Sequence, residues 1–178
     1  MRKDTQRLFF ALDLAHPDNA ESKQQIIELK QHLSPLGRPV PNDNLHITLA
    51  FLGEVDSQAY RALCDAADKI SLPAISTQTT ETGQFSKQGI VWLGLDLDDT
   101  LNTLAASLQG FAADILIRPT EKRFIPHISL LHRTKVTENL HQLSVPLTFD
   151  QFGIYASIPD KSGRDVYYRC LNRWTLTH

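Results

Sequence analysis

Two copies of one short motif hold the residues of this sequence that are best suited to chemistry. The tetrapeptide His-Ile-Thr-Leu begins at His46, and His-Ile-Ser-Leu begins at His127. Each copy places an imidazole and a hydroxyl two positions apart, with large apolar residues between and after them. This alternation is typical of a β-strand, in which residues i and i+2 point to the same side. We therefore expect His46 and Thr48 to project together from one sheet surface, and His127 and Ser129 likewise.

Two imidazoles facing one groove would form an acid–base pair, because one can accept a proton while the other donates one. An ordinary imidazole pKa near ~6.5 suits both tasks at neutral pH. The two hydroxyls would donate hydrogen bonds to phosphate oxygens as negative charge builds there. A single His-x-Thr motif is weak evidence for catalysis, since most such histidines are surface residues or structural residues with a hydrogen bond. The paired motifs favour acid–base chemistry at a phosphate.

Length and composition predict an ordinary soluble protein. The 178 residues, 42% hydrophobic and 21% charged, suffice for one domain or for two small lobes sharing a groove. No apolar run approaches the ~20 residues that span a bilayer, and we expect no signal peptide. Cys64 and Cys170 form no Cys-x-x-Cys pair, which predicts free thiols in the cytoplasm. The net charge of −2 argues against a protein that coats nucleic acid, but it permits a local basic patch that grips a strand end.

The rest of the sequence predicts the elements that must position the two motifs. Apolar runs and period-two alternation predict seven strands, and helical spacing of apolar residues predicts three helices. We expect Asp18 to cap the first helix and Gly53 to end the first motif strand. The predicted strands cover residues 7–14, 44–52, 75–85, 89–97, 127–131, 147–157 and 166–176, and the predicted helices cover residues 18–33, 56–70 and 99–115.

Half of this layout is an internal repeat. A strand, a helix, a proline-containing loop and a His-x-hydroxyl strand occur in residues 7–52 and again in residues 89–131. Leu12 lies 34 positions before the first motif histidine, and Leu93 lies 34 positions before the second. A duplicated lobe with a pseudo-two-fold axis would bring the motifs face to face. Because several strand pairs have no intervening helix, we predict an α+β fold with mostly antiparallel sheets.

Six segments of the chain resemble a known family. They lie at residues 7–11, 37–40, 44–54, 91–94, 123–131 and 155–157, and the eleven-residue block around the first motif is the most specific. The chain resembles the two-histidine phosphoesterase superfamily, which carries the HxTx motif twice. Within it, the chain is similar to the bacterial RNA 2′,3′-cyclic phosphodiesterases long called 2′-5′ RNA ligases. The resemblance implies one bilobal domain over residues 1–178, with two mostly antiparallel sheets around a central groove and helices outside.

The resemblance also implies an activity, the hydrolysis of a terminal ribose 2′,3′-cyclic phosphate to a 2′-phosphate, with 2′-5′ RNA ligation as its reversal. We assign His46 as the general acid to the 3′-oxygen and His127 as the general base on water. Thr48 and Ser129 would hold the non-bridging oxygens. No histidine or cysteine spacing predicts a metal site, and no glycine-rich phosphate-binding segment predicts ATP, so we expect no cofactor.

The sequence departs from the family pattern at two places. Ser129 stands where threonine is commoner, which keeps the hydroxyl but loses the methyl group that stiffens χ1. The family often has a phosphate-binding arginine directly after the Leu-Leu of the second motif, but here His132 occupies that position and Arg133 follows. Because a one-residue shift along a strand moves a side chain to the other face, either residue could replace the family arginine.

Substrate binding is predicted from residue type. Aromatic side chains could stack on a base, although core packing is an alternative for each of them. Basic side chains near the second motif could hold the RNA backbone, with Arg123 the best single candidate. The aromatic candidates are Phe9, Phe51, Trp92 and Tyr155, and the basic ones are Arg118, Lys122, Arg123, Arg133 and Lys135.

Two alternative functions remain open at the level of sequence. A phosphodiesterase of the same superfamily could act on small cyclic nucleotides, ADP-ribose cyclic phosphate or 2′-5′ oligoadenylate. A non-catalytic module could bind RNA ends, but binding alone would not need an acid–base pair. We expect a monomer whose partner is an RNA 3′ end carrying a cyclic phosphate, or a small cyclic nucleotide, and no membrane or metal.

Overall fold

The structure is a computed structural model that describes residues 4–119, 123–135 and 140–177. These residues form the helices α1 (Ala20–Leu33), α2 (Ser57–Ala67) and α3 (Asp99–Leu116). Their strands are β1 (Thr5–Asp13), β2 (Arg38–Pro39), β3 (His46–Asp56), β4 (Ile75–Phe85), β5 (Ile90–Leu95), β6 (His127–His132), β7 (Pro146–Phe149), β8 (Gln151–Pro159) and β9 (Val166–Thr175).

The strands form one continuous antiparallel path whose centre is the pair of motif strands. Their order is β7-β4-β5-β6-β3-β1-β8-β9, with the short β2 pairing on β6. β3 and β6 meet at a single residue pair, Ile47 opposite Ile128. The first lobe therefore contains β1, β3, β8 and β9, and the second contains β4 to β7 with β2. The predicted α+β class and antiparallel pairing are confirmed, and the two expected sheets join at this one point.

The helices pack against one side of the sheet through the apolar stripes that the sequence shows. In α3 the predicted stripe is buried except at its last residue, Ile115, which is half-buried. The Asp98 carboxylate caps the helix by accepting from the Leu101 backbone N–H at 2.8 Å. Asp56 caps α2 in the same way, through the Ala59 backbone N–H at 2.8 Å. The side chains of the α3 stripe belong to one core with those of the sheet, and they are Leu101, Leu104, Ala105, Leu108 and Ala112.

Three local predictions were wrong. Asp18 does not cap α1, because residues 17–19 form a separate 3-10 turn and the helix begins only at Ala20. Gly53 does not end β3, because it lies inside the strand at φ 72°, a conformation that glycine adopts without strain. The strand predicted over residues 147–157 is two strands, β7 and β8, which belong to different lobes and are separated by five strands in the strand order.

Each motif strand contains a β-bulge at the leucine that ends its motif. In β3, Ala11 pairs with Thr48 and Phe10 with Ala50, so Leu49 is an extra residue. In β6, Trp92 pairs with Ser129 and Val91 with Leu131, so Leu130 is extra. An extra residue reverses the alternation of side chains beyond it. The fifth residue after each motif histidine, Phe51 or His132, therefore lies on the same face as that histidine.

Candidate active site

The four motif side chains lie together where the two lobes meet. Ile47 and Ile128 are fully buried on the core side, so their neighbours in each motif point to the opposite face. His46, Thr48, His127 and Ser129 are all half-buried there. The antiparallel register places His46 beside Ser129 and Thr48 beside His127. The structure thus brings the four predicted catalytic residues into one groove.

Both imidazoles are held in the same orientation by the backbone. Nδ1 of His46 lies 2.6 Å from the carbonyl oxygen of Asn44, and Nδ1 of His127 lies 2.7 Å from that of Ile125. A carbonyl can only accept, so Nδ1 carries the proton and Nε2 of the neutral ring is left as the acceptor. Nε2 of His46 is 2.9 Å from the Thr48 hydroxyl oxygen. The two rings are therefore oriented for proton transfer through Nε2.

Burial holds both imidazoles neutral in the unliganded protein. It lowers the pKa of His46 from 6.5 to about 4, against the opposing hydrogen bond to Asn44 and with added repulsion from His127 and His132. Burial also lowers the pKa of His127, and the bond to Ile125 opposes this shift. An anionic phosphate in the groove would favour the charged form of each ring and raise both pKa values.

Two aromatic side chains flank each histidine. The ring centroids of Phe9 and Tyr168 both lie 5.1 Å from that of His46. Phe85 lies 5.1 Å and Trp92 lies 6.1 Å from His127. Phe9 and Trp92 were predicted to stack on a base, and the structure places them against the imidazoles. Sequence reasoning missed Phe85 and Tyr168, although each lies in a predicted strand.

The other two aromatic candidates differ in exposure. Phe51 is 40% exposed in the groove, and the guanidinium carbon of Arg7 lies 5.0 Å from its ring centroid. Tyr155 is only 8% exposed, stacks on Phe9 at 5.6 Å and donates its hydroxyl to Asp13 at 2.7 Å. Phe51 is thus better placed than Tyr155 to meet a base in the groove.

The basic candidates separate into distinct positions. Arg123 lines a cavity of about 400 Å³ together with Thr48, Phe51 and His127. The Arg118 guanidinium instead donates to the backbone carbonyls of Phe51 and Leu52, so it stabilises the bulged part of β3. Lys122 lies outside the described residues.

The position of the family arginine is occupied by a groove residue. His132 lines a cavity of about 480 Å³ with His46 and Thr48, because the bulge returns it to their face. Arg133 follows at φ 52°, where the strand turns away, and it lines a neighbouring cavity instead. Burial and the nearby Arg38 guanidinium lower the pKa of His132.

Two further properties bear on the range of functions. Among the described residues, no three His, Cys, Asp or Glu side chains are grouped closely enough to hold a metal ion. Within the same part of the chain, no helix has the length and apolar character to cross a bilayer. Cys64 and Cys170 are both free thiols.

Comparison with known proteins gives one consistent result. A family model described as LigT like phosphoesterase matches residues 17–92. The chain is 38% identical over 179 residues to the RNA 2′,3′-cyclic phosphodiesterase of Escherichia coli (strain K12), with 98% of each protein covered. It is 28% identical over 187 residues to the protein of the same name from Thermotoga maritima, with 92% of this chain and 94% of that protein covered.

Solved structures agree with the sequence relatives. The fold matches the crystal structure of E. coli LigT in apo form with a TM-score of 0.87 at 37% identity. It matches E. coli LigT complexed with 3′-AMP with a TM-score of 0.86 at 36% identity. Each match covers 98% of this chain and 99% of the solved chain.

Proposed function

This chain belongs to the LigT-like phosphoesterase family, and on that premise we propose that it hydrolyses terminal RNA 2′,3′-cyclic phosphates to 2′-phosphates. The pairing of Ile47 with Ile128 is the observation that carries the proposal, because it brings both His-x-hydroxyl motifs to one groove. The name shared by the E. coli and Thermotoga relatives supplies the substrate class.

The reaction needs two proton transfers on opposite sides of phosphorus. A water molecule forms the new P–O bond and gives its proton to Nε2 of His127, while the P–O3′ bond breaks and the 3′-oxygen takes a proton from Nε2 of His46. Thr48 and Ser129 donate hydrogen bonds to the non-bridging oxygens as charge develops on them. Each histidine ends in the opposite protonation state and resets by exchange with solvent.

The electrostatics of the groove add a condition to this assignment. With a pKa of about 4, His46 is neutral at pH 7 in the free protein, so as the acid it must gain a proton when substrate binds. The anionic cyclic phosphate supplies the attraction that raises its pKa. With a ribose 5′-hydroxyl in place of water as the nucleophile, the same steps would join two RNA ends: the 5′-oxygen forms the new P–O bond, the P–O3′ bond breaks, and a 2′-5′ bond results.

Substitution of the motif residues tests the proposal with an RNA oligomer ending in a cyclic phosphate. His46→Ala and His127→Ala should each lower kcat by roughly 10²–10⁴, the usual worth of a general acid or base. The double variant should lose much less than the product of the two effects. Thr48→Val and Ser129→Ala should each cost on the order of 10²-fold.

The matched control is His32→Ala, which removes an exposed histidine of α1 and should leave turnover unchanged. Near wild-type turnover in either motif-histidine variant would refute the paired mechanism. Activity should survive EDTA, because the residues of the groove supply the acid, the base and the oxyanion donors. Loss of turnover in EDTA that a divalent ion restores would refute that part of the proposal.

A phosphodiesterase for small cyclic nucleotides is the second candidate, since the cavity of about 480 Å³ that His46, Thr48 and His132 line is large enough for one nucleotide. Comparing kcat/KM for 2′,3′-cyclic AMP with that for the RNA oligomer separates the two. The predicted monomeric state and cytoplasmic location belong to the same proposal, and the two free thiols support the second of these.

A further inference from the structure

A second cavity borders the catalytic groove on the side of His132. The first cavity is the one of about 480 Å³ that His46, Thr48 and His132 line. It shares four lining residues with this neighbour, whose volume is about 470 Å³. Any chain that leaves the groove past His132 therefore enters the second cavity directly. The shared residues are His132, Pro159, Val166 and Tyr168.

The second cavity concentrates positive charge. Arg38, Arg133 and Arg164 line it, against one carboxylate, that of Asp165. Arg38 lies 2.9 Å from that carboxylate, whereas Arg133 and Arg164 form no ion pair among the described residues. The whole chain has a net charge of −2, so this local excess is not a property of the surface at large. We call this cavity the arginine pocket.

Three parts of the fold contribute the arginines of this pocket: the end of β6, the loop between β8 and β9, and β2. Arg133 sits where β6 turns away from the sheet, directly after the groove residue His132. Arg164 lies in the loop between β8 and β9. The side-chain amide of Asn44 donates to the Val166 carbonyl at 2.7 Å, and the pair between Arg38 and Asp165 ties the same loop to β2.

We propose that the arginine pocket binds the phosphodiester on the 5′ side of the terminal nucleoside, so that the enzyme recognises an RNA strand and not only a cyclic mononucleotide. This inference rests on the proposed function. When the 2′,3′-cyclic phosphate lies between His46 and His127, the rest of the RNA must leave the groove in the 5′ direction. A guanidinium pair is well suited to a phosphodiester, because each fork can donate two parallel hydrogen bonds.

The experiment compares substrates that differ only on the 5′ side. They are adenosine 2′,3′-cyclic phosphate, the same nucleotide with a 5′-phosphate, and the dinucleotide ApA with a terminal 2′,3′-cyclic phosphate. In wild-type protein, KM should fall from the first to the third. In Arg133→Gln/Arg164→Gln, KM for the dinucleotide should rise about tenfold while the constants for the plain nucleotide stay unchanged. The salt dependence of log kcat/KM for the dinucleotide should lose about 0.7 in slope per phosphate contact removed.

Two further variants make the test specific. Arg61→Gln removes an exposed arginine from α2 and should change none of these constants. Arg123→Gln probes the cavity that His127 lines. The proposal is overturned if the double variant affects all three substrates equally, if it affects none, or if Arg123→Gln alone carries the dependence on length. A wild-type protein that turns over none of the substrates would instead contradict the proposed function.

Discussion

The hydrogen bonds from Nδ1 of both histidines to backbone carbonyls decide which nitrogen can react. Because Asn44 and Ile125 each lie two residues before their histidine, the backbone that leads into each motif strand fixes the tautomer, and no carboxylate is needed. A carboxylate partner would stabilise the imidazolium and raise its pKa, whereas a carbonyl does so less. This arrangement suits a reaction in which each ring must both gain and lose a proton.

The pH dependence of catalysis should reflect the lowered histidine pKa values. kcat/KM reports groups of the free enzyme, in which His46 has a pKa of about 4 and that of His127 is lowered from 6.5. Because both pKa values lie below the ordinary 6.5, the form with one proton on the pair is most populated below about pH 6.5, where kcat/KM should peak. The kcat profile should lie at higher pH, because bound phosphate raises both pKa values. Rates measured from pH 4 to 9 check this, and coincident profiles with an optimum above pH 7 would contradict it.

The same burial should make the protein less stable in mild acid. In the unfolded chain His46 titrates near 6.5, and in the folded chain near 4, so between these values the unfolded state binds more protons. The unfolding free energy should therefore fall as the pH drops from 6.5 to 4, by on the order of 2–3 kcal/mol from this residue. His46→Asn keeps an N–H donor but cannot titrate, so the variant should lose less stability over that range. Urea unfolding without phosphate measures the difference, and parallel pH curves would contradict the prediction.

In the motif strands, sequence periodicity predicted which side chains share a face within each motif, but it did not predict that a β-bulge reverses the alternation of side chains beyond it. The alternation through residues 46–49 and 127–130 is confirmed, and both histidines face one groove. Strict alternation would have turned His132 away from His127, yet the bulge at Leu130 returns it to the groove. The sequence feature that accompanies this bulge is the pair of consecutive buried leucines, Leu130 and Leu131. A run of two apolar residues is ambiguous on its own, because a fully buried strand gives the same pattern.

The division between β7 and β8 was also beyond the sequence. Residues 147–157 are mostly apolar or β-branched and contain no proline or pair of turn residues. In the structure only Asp150 separates the two strands, which pair with β4 and β1 in different lobes. Tertiary pairing decides this break, and local propensity does not encode it.

Lys30 connects helix α1 to the segment that orients His46. It is 3% exposed, and its ammonium donates to the Val40 carbonyl at 2.5 Å and to the side-chain oxygen of Asn42. The turn Asn42–Asn44 then presents the carbonyl that accepts from Nδ1 of His46. Lys30→Met keeps the length of the side chain but leaves the buried Val40 carbonyl without this donor, and it also removes the bond to Asn42. We expect a loss of about 1–3 kcal/mol in unfolding free energy and a fall in kcat on the order of tenfold with little change in KM.

Denaturant unfolding and steady-state kinetics measure the two effects. Lys69→Met, at an exposed position beyond α2, is the matched control and should change neither. If Lys30→Met lost stability but kept full kcat, Lys30 would support the fold without orienting His46.

Across the whole molecule, the pseudo-two-fold axis through Ile47 and Ile128 relates features that residue identity does not show. Both halves repeat the carbonyl bond to Nδ1, the aromatic pair around the imidazole and the bulge at the leucine that ends the motif. They differ in what bonds the strand beyond each bulge. β2 pairs with Leu131 and His132 of β6, whereas on β3 the Arg118 side chain donates to the carbonyls of Phe51 and Leu52. The groove is thus symmetric at the four motif residues and asymmetric beyond them.

The two lobes should unfold as one unit, although they meet at a single strand pair. The chain leaves the first lobe for β2, returns for β3, crosses again to β4 and returns from β7 to β8, and one buried core contains side chains from both lobes. Neither lobe is a continuous segment that could fold alone, which predicts a single cooperative transition over residues 1–178.

The sequence has two tryptophans, Trp92 in the second lobe and Trp174 in the first. Trp92→Phe leaves a probe in the first lobe, and Trp174→Phe leaves one in the second. Within each variant, the urea midpoint from fluorescence should coincide with the midpoint from far-ultraviolet circular dichroism. The comparison is made inside one variant, so a change in its stability does not affect the test. Separated midpoints in either variant would show that the lobes are independent domains.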